Sequence, residues 1–535
     1  MTDSSMTTTP VFLRPEISLE LLVNRWYVWS HLVAPAQHAM NLAFRYVPLL
    51  ESFIANPSVH AAAARNPDLI GGPFVPLKSE YVPAIRALLG EIRERCAALL
   101  AFATDLKKMD QELQDSANGY SLDELYTRLP VTLAGLVELS YDINNHPRIR
   151  VLEELLYSGG LDNTHVQEIS LVRTDERERG FFLNTPRLES PERVFLPLAF
   201  ADARLDLLAA ARLQPVELPV LAQSLVGARE LPPIFNSFFS PAPPTRHKPA
   251  YNGTGVRIRY FGHACVLVQS AEVSILVDPL VAWETNATDG RLTFVDLPDF
   301  IDYVVITHNH QDHFSLDLLV QLRRRIGCIL VPGNNPGSLP DPSMKQVLRS
   351  LGFSEVRVLE PLEPVAIEAG ELIGLPFFGE HAGLDIHSKL CVAIKLAGRS
   401  IVLVADSACP DPAYYRHLKK RLGRIDVLFI GMECHGAPLT WLYGPYLTRP
   451  VRRRDDDSRR LSGSNFAQAR TIVESFQCPR VFVYAMAMEP WMRHLSGLEY
   501  TPDSIQITES NKLLEYCKDA GIEAERLQGC KEMLL

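Results

Sequence analysis

The sequence predicts an α/β protein in two parts, a mainly helical α+β domain followed by a layered α/β sandwich. Three observations carry this. Apolar positions recur at mainly helical spacing from Ile17 to about Leu156. Prolines crowd between Leu231 and Gly253, and beyond Val256 short β-branched runs alternate with amphipathic helical segments. A chain of 535 residues also exceeds one ordinary hydrophobic core. The expected division is residues 1–230 for the N-terminal domain, with dimerisation or docking as its role, 231–253 for a linker, and 254–535 for the sandwich.

In the first part, Val82 to Met109 alternates apolar and charged residues as an amphipathic helix does, and Ser121 with Glu124 reads as a capping box. Strand-like runs follow at Ile169–Val172 and Gly180–Leu183, then a helix over about Phe200–Leu213. Leu231-Pro232-Pro233, the prolines of Ser240–Pro244 and Lys248-Pro249 cannot continue a helix or an inner strand, so an extended linker is expected.

In the second part, Val256–Val268 reads as a strand broken at Gly262-His263, and Val273–Val277 as one ending at Asp278-Pro279. Further strands are expected at Tyr303–Thr307, Cys328–Val331, Val356–Leu359, Leu390–Lys395, Ser400–Ala405, Val427–Ile430 and Val481–Tyr484. Helices are expected between them at Leu316–Ile326, Met344–Leu351, Ala413–Leu422, Phe466–Phe476 and Ser510–Ala520.

Composition narrows the partners. A net charge of −10 disfavours a surface built to grip nucleic acid. No apolar stretch reaches the roughly 18 residues of a membrane span. Met1 to Pro10 is polar and Thr-rich, unlike a secretory leader, and nine scattered cysteines with no C-x-x-C pair suit a reducing cytoplasm.

The chemistry concentrates in Thr307-His308-Asn309-His310-Gln311-Asp312-His313, on the turn leaving a strand. His308, His310, Asp312 and His313 are close enough in sequence to converge without long-range precision. Such a set serves two metals about 3.5–4 Å apart. Asp406 ends the apolar run Ser400–Ala405, where a buried carboxylate is best stabilised by a cation. Further ligands come in competing pairs. Glu380 and His381 are adjacent and face opposite ways on an extended chain. An inward His381 makes a histidine-rich site suited to zinc hydrolysis. An inward Glu380 makes a carboxylate-rich site that favours iron. For a late histidine, His494 follows the run Val481–Tyr484, with His435 as its rival. His263 is either a residue orienting a ligand or Asp278, or a packed core histidine.

His308–His313, Asp278, Gly262-His263-Ala264 and Asp406 together resemble the metallo-β-lactamase superfamily, from about Val256 to the C-terminus. That resemblance implies an αββα sandwich with the site at the rim between two sheets, and a last histidine where His494 stands. The long N-terminal part and Gly379-Glu380-His381 resemble one branch, the diiron β-hydroxylases found with non-ribosomal peptide synthetases, of which the chloramphenicol pathway has a member. The branch implies a monooxygenase with two iron ions and O2 as co-substrate. Its reaction is hydroxylation of the β-carbon of an aminoacyl group held as a thioester on a carrier domain through phosphopantetheine. It implies His308, His310 and Glu380 on one iron, Asp312 and His313 on the other, and Asp406 shared, with Glu380 and Asp406 serving catalysis.

An external electron donor is expected, since no flavin or iron–sulfur motif is present, and a homodimer with it. The stretch Arg452–Arg460 is either a docking patch for the carrier or a solvated loop of self-cancelling charge. Trp441, Tyr443, Tyr446 and Trp491 line a substrate pocket or pack a core. The rival reading is a dizinc hydrolase acting on a lactone, thioester or phosphodiester, in which the same histidines activate a bridging water.

Overall fold

The structure is a computed structural model and describes residues 9–66, 69, 72–176, 179–285, 290–497 and 499–535. The polar N-terminal segment up to residue 8, read above against a secretory leader, lies outside the described residues.

The N-terminal part is built on a four-stranded antiparallel sheet of β1 (Ile17–Val23), β2 (Trp26–Tyr27), β3 (Gln167–Arg173) and β4 (Arg193–Leu196), in the order β2-β1-β3-β4. Helices fill the long excursion between β2 and β3, the longest being α1 (Val82–Arg95) and α2 (Ala97–Ser116). The helical reading of the segment from Ile17 therefore misses β1. Ile17, Leu19 and Leu21 alternate with Ser18 and Glu20 at a period of two, and all are buried. Glu20 survives there because Arg179, Arg187 and Arg193 lie 3.1, 3.3 and 2.7 Å from its carboxylate.

Other expectations change as well: Val82–Met109 is divided between α1 and α2 at Cys96, and Ser121 accepts from Asp123 N–H at 3.2 Å without forming a capping box with Glu124. Gly180–Leu183 is an irregular turn, not a strand, because its apolar residues serve a wall between the two parts. The helix expected over Phe200–Leu213 spans Arg204–Ala210, since Asp202 accepts the Arg204 N–H at 2.9 Å and starts it late. Residues 231–253 are not wholly extended. Ile234–Ser237 forms a helical turn directly after Pro232 and Pro233, where a missing N–H costs nothing, and Phe239–Ser240 pairs with Phe12–Leu13. The rest is tied down, with His247 N–H donating to Asp296 at 2.7 Å and Arg246 to the Val295 carbonyl at 2.7 Å.

The C-terminal part is an αββα sandwich. Its first sheet holds β5 (Arg257–Tyr260), β6 (Val266–Gln269), β7 (Ser274–Val277), β8 (Ile301–Val305), β9 (Ile326–Val331) and β10 (Val356–Val358). The second holds β11 (Pro364–Ile367), β12 (Gly370–Leu375), β13 (Cys391–Leu396), β14 (Arg399–Leu403), β15 (Val427–Gly431), β16 (Arg480–Tyr484) and β17 (Glu523–Arg526), in that order across the sheet. The last strand, β18 (Lys531–Leu534), returns to pair with β5.

Val266, Val268, Val277, Val392, Ile394 and Phe429 are among the side chains that fill the space between the sheets. The helix α3 (Leu316–Leu322) covers the first sheet. On the outer face of the second lie α4 (Pro412–Leu422), α6 (Phe466–Phe476) and α7 (Ile505–Asp519), with α5 (Leu439–Tyr443) near the rim. The strands read as unbroken apolar runs because both faces are covered. Across the junction of the two parts, Arg212 donates to Gln321 at 2.8 Å and Arg323 to Asp206 at 2.7 Å.

Candidate metal centre

Turns leaving the strands bring ligand-bearing residues to one rim of the sandwich. His308 to His313 follow β8, Asp278 follows β7, His263 follows β5, and Asp406 follows β14. The rim is stitched by a bridge between His308 and Lys389 and by Leu390 N–H donating to the Thr307 carbonyl at 2.7 Å, joining the two sheets. Asp278, His263 and Ala405 all have positive φ, of 46°, 48° and 47°, as sharp exits from strands demand. Gly431 makes room for Asp406: a Cβ there would stand 2.6 Å from the Asp406 carboxylate.

The polar partners of the imidazoles fix which nitrogen faces inward. Thr307 donates its hydroxyl proton to Asp278 at 2.6 Å, so its oxygen accepts from His308 Nδ1 at 3.0 Å. His313 Nδ1 donates to the same Asp278 at 2.8 Å. In both rings the proton sits on Nδ1 and the Nε2 lone pair is left for a cation, the usual carboxylate–histidine–metal pattern. Asp406 Oδ2 lies 3.3 Å from His313 Nε2 and 3.7 Å from His308 Nε2, between the two. Glu380 Oε1 lies 3.2 Å from His310 Nδ1.

Two groups of three converge closely enough to hold an ion, His308 with His310 and Glu380, and His308 with His313 and Asp406. A third such group is His263 with Asp312 and His313. His263 does not belong in it as a ligand. Its Nδ1 receives the Ala487 backbone N–H at 3.1 Å, and an amide can only donate, so the ring proton is on Nε2. That nitrogen faces Asp312 Oδ2 at 3.1 Å, which makes His263 an orienting partner of Asp312.

The metal fit is tested by what is left unpaired. His308 Nε2, His310 Nε2, His313 Nε2, Glu380 Oε2 and Asp406 Oδ1 are buried without a hydrogen-bond partner, as are His263 Nε2 and His381 Nε2 beside them. Each such atom costs about 1–3 kcal/mol if nothing meets it, and cations held by the groups around His308 would meet its Nε2, His313 Nε2 and the free carboxylate oxygens of Glu380 and Asp406. Electrostatics agree for Glu380, His308 and His310, while against its burial the His313 imidazole is drawn up by Asp406, Asp278 and Asp312. Burial pushes the Glu380 carboxyl up to about 7 against the pull of His310, and burial drives the His308 and His310 imidazoles down, toward the neutral ligand form. Burial alone would raise Asp312, but His313 and His263 hold it below the ordinary carboxylate range.

His494 is not brought to this rim. Two helical turns, Pro490–Met492 and Arg493–Ser496, carry it onto the N-terminal part. There its Nδ1 lies 2.8 Å from the Trp491 carbonyl oxygen and its ring meets Tyr27 edge-on at 5.9 Å. The segment after β16 is instead spent on His263: Ala485 N–H donates to its carbonyl, Ala487 N–H to its ring, and Glu489 accepts its backbone N–H at 2.8 Å. His435 is exposed on the wall of the cavity above the centre.

That cavity has a volume of about 730 Å3. His310, Asp312, Glu380 and Asp406 line its floor, joined by Glu433, which the sequence reading did not single out. Burial beside Asp406, Asp312 and Glu380 pushes the Glu433 carboxyl well above its usual range. Its position two residues past β15, another strand ending at this rim, is the signal that would have found it. Phe181 and Phe182 from the N-terminal part and Trp441 from α5 supply apolar wall, Phe181 meeting Trp441 at 5.6 Å. Arg453 and Arg460 stand at the opening.

A metallo-β-lactamase-fold protein with a carboxylate-rich centre for two metals is what fold and site together define. Residues 257–436 match the beta-lactamase superfamily domain, and residues 12–243 match the N-terminal domain of diiron non-heme beta-hydroxylases. A relative from Streptomyces venezuelae, 4-amino-L-phenylalanyl-[CmlP-peptidyl-carrier-protein] 3-hydroxylase, is 36% identical over 521 residues, covering 96% of this chain and 98% of that protein. The solved structure of CmlA, a diiron beta-hydroxylase from the same organism, superposes with a TM-score of 0.92 at 35% identity over 99% of this chain and all of that one. A mutant of the CmlA beta-hydroxylase does so at 0.89 and 35%, over 98% of this chain. The chain belongs to the diiron β-hydroxylase family and is an enzyme of the oxygenase class. Among the described residues no helix is long and apolar enough to cross a membrane.

Proposed function

We propose that this chain hydroxylates the β-carbon of an amino acid held as a thioester on a non-ribosomal peptide synthetase carrier domain, using O2. The observation that carries the reading is that Glu380, a carboxylate, closes the cluster of His308 and His310. It does so in a chain similar along nearly its whole length to a hydroxylase of a carrier-bound aminoacyl group. Under this reading His308, His310 and Glu380 hold one iron, Asp312 and His313 the other, and Asp406 both. His494 has no part in it. Carboxylate oxygen donors suit iron better than a histidine-only set would.

When bound, the iron pair supplies O2 activation and attack on the C–H bond. One oxygen atom enters that bond and the other leaves as water, with two electrons and two protons drawn from an external donor. The protein's own part is placement. Asp278 and Thr307 hold the His308 and His313 rings in their ligating tautomer. Phe181, Phe182 and Trp441 offer the amino-acid side chain an apolar wall. Arg453 and Arg460 at the opening give a carrier's acidic face and phosphate a place to bind, and a homodimer is the expected assembly.

Elemental analysis of the purified protein, with Mössbauer spectra of iron-57-enriched material, tests this first. Two coupled irons per chain support it. Two zincs in protein made with iron available turn the reading to a dizinc hydrolase.

A further inference from the structure

Tyr443, at the end of α5, is buried, and its hydroxyl lies 2.9 Å from His381 Nδ1. The opposite ring nitrogen, His381 Nε2, stands 2.9 Å from Glu380 Oε2. The direction of the Tyr443 hydrogen bond therefore decides what His381 is. If the phenol accepts, His381 keeps its proton on Nδ1 and turns a lone pair toward the metals, as a third histidine ligand. If the phenol donates, the proton is on Nε2 and His381 has no lone pair to offer.

One feature favours donation. A buried hydroxyl needs an acceptor for its proton, and His381 Nδ1 is the one within hydrogen-bond reach among the described residues. The ring proton is then on Nε2, on the side of Glu380 Oε2.

We propose that Tyr443 is a positioning residue that fixes the His381 tautomer, excludes His381 from the metal, and so leaves the third position of the first site to Glu380. This rests on the ligand reading above and deepens it: one phenol proton sets whether the site is carboxylate-rich or histidine-rich. Tyr443 touches no metal and acts only through His381.

The test uses the full chain, stripped of metal and reloaded with zinc or with ferrous iron. In a crystal structure of the zinc-loaded Tyr443→Phe variant, His381 Nε2 is expected at about 2.0–2.1 Å from a metal, the usual zinc–nitrogen distance. The parent should keep it outside bonding range. Zinc should also gain on iron in competition by about tenfold in the variant, the scale of other changes behind a ligand. Tyr443→Phe/His381→Phe should return the competition to the parental ratio. His381 remaining unbound in Tyr443→Phe, with unchanged competition, overturns the proposal. So does a His381→Phe variant that loses as much iron as Glu380→Ala, a comparison that stands even if Tyr443→Phe fails to fold. Zinc loading keeps the tautomer question separate from the native metal. A parent without an iron pair removes the hydroxylase reading and leaves the exclusion of His381 to be judged on the zinc structures.

Discussion

His263 Nε2 and Asp312 Oδ2 stand 3.1 Å apart, and the Ala487 amide behind the ring dictates that the imidazole brings the proton. Asp312 thus meets the second metal site with one oxygen already engaged. His263→Leu should weaken metal retention at that site by about 10–100-fold in competition with a chelator, the range for residues that orient ligands. His263→Gln, which still has an amide proton for Asp312, should recover most of it. Equal losses in both variants would mean that His263 is a ligand after all.

Asp278 is fully buried and accepts from Thr307 N–H at 2.7 Å, the Thr307 hydroxyl at 2.6 Å and His313 Nδ1 at 2.8 Å. Asp278→Asn turns an amide N–H toward one of three donors. Metal affinity should fall by about 10–100-fold, and Tm should fall with it, because a buried donor is left unmet. Parental affinity in this variant would show that the tautomers of His308 and His313 are held by something else.

Glu153, buried in the N-terminal part, accepts the Ser343 N–H with both oxygens at 3.1 Å, and burial pushes its carboxyl up to about 7. The folded chain therefore binds this proton more tightly than the unfolded chain, whose carboxyl titrates near 4.3. Stability from the protonated form is full below about 4.3 and is lost as pH rises through 7. Glu153→Gln should leave stability almost unchanged at pH 4 and raise it by about 3–4 kcal/mol at pH 8. Urea melts at the two pH values read this directly, and an unchanged pH profile would remove Glu153 as the cause.

The apolar wall of Phe181 and Trp441 belongs to two different parts of the chain and borders the cavity above the metals. If that wall holds a carrier-delivered side chain, Phe181→Ala should raise KM for the loaded carrier by about 1–2 orders of magnitude, as loss of a buried aromatic contact implies. The free amino acid should turn over far more slowly than the tethered one, since it lacks the remote binding energy of the carrier. Comparable turnover of both forms would argue against tethering.

Much of this site was legible because it is local. His308, His310, Asp312 and His313 lie within one turn, so no distant contact decides whether they meet. The buried strands β8 and β14 announced themselves as apolar runs ending in polar residues. What failed depended on partners far along the chain. The order of His494 after β16 points to the metal site, yet that segment wraps His263 instead, and no short-range pattern records this. The choice between Glu380 and His381 turns on a hydroxyl more than sixty residues away, at Tyr443. Gly180–Leu183 reads as a strand because burial against another domain leaves the same apolar signature as burial in a sheet.

From Gly379 to Gly383 every residue has positive φ, at 77°, 49°, 46°, 54° and 69°. Three of the five carry a Cβ and resist that handedness by about 1–2 kcal/mol each. This short arc is where an acidic side chain and an imidazole sit next to each other, both buried at the rim. Part of the folding free energy of the sandwich is therefore spent on five residues of backbone, and what it holds in place is Glu380 beside His308 and His310.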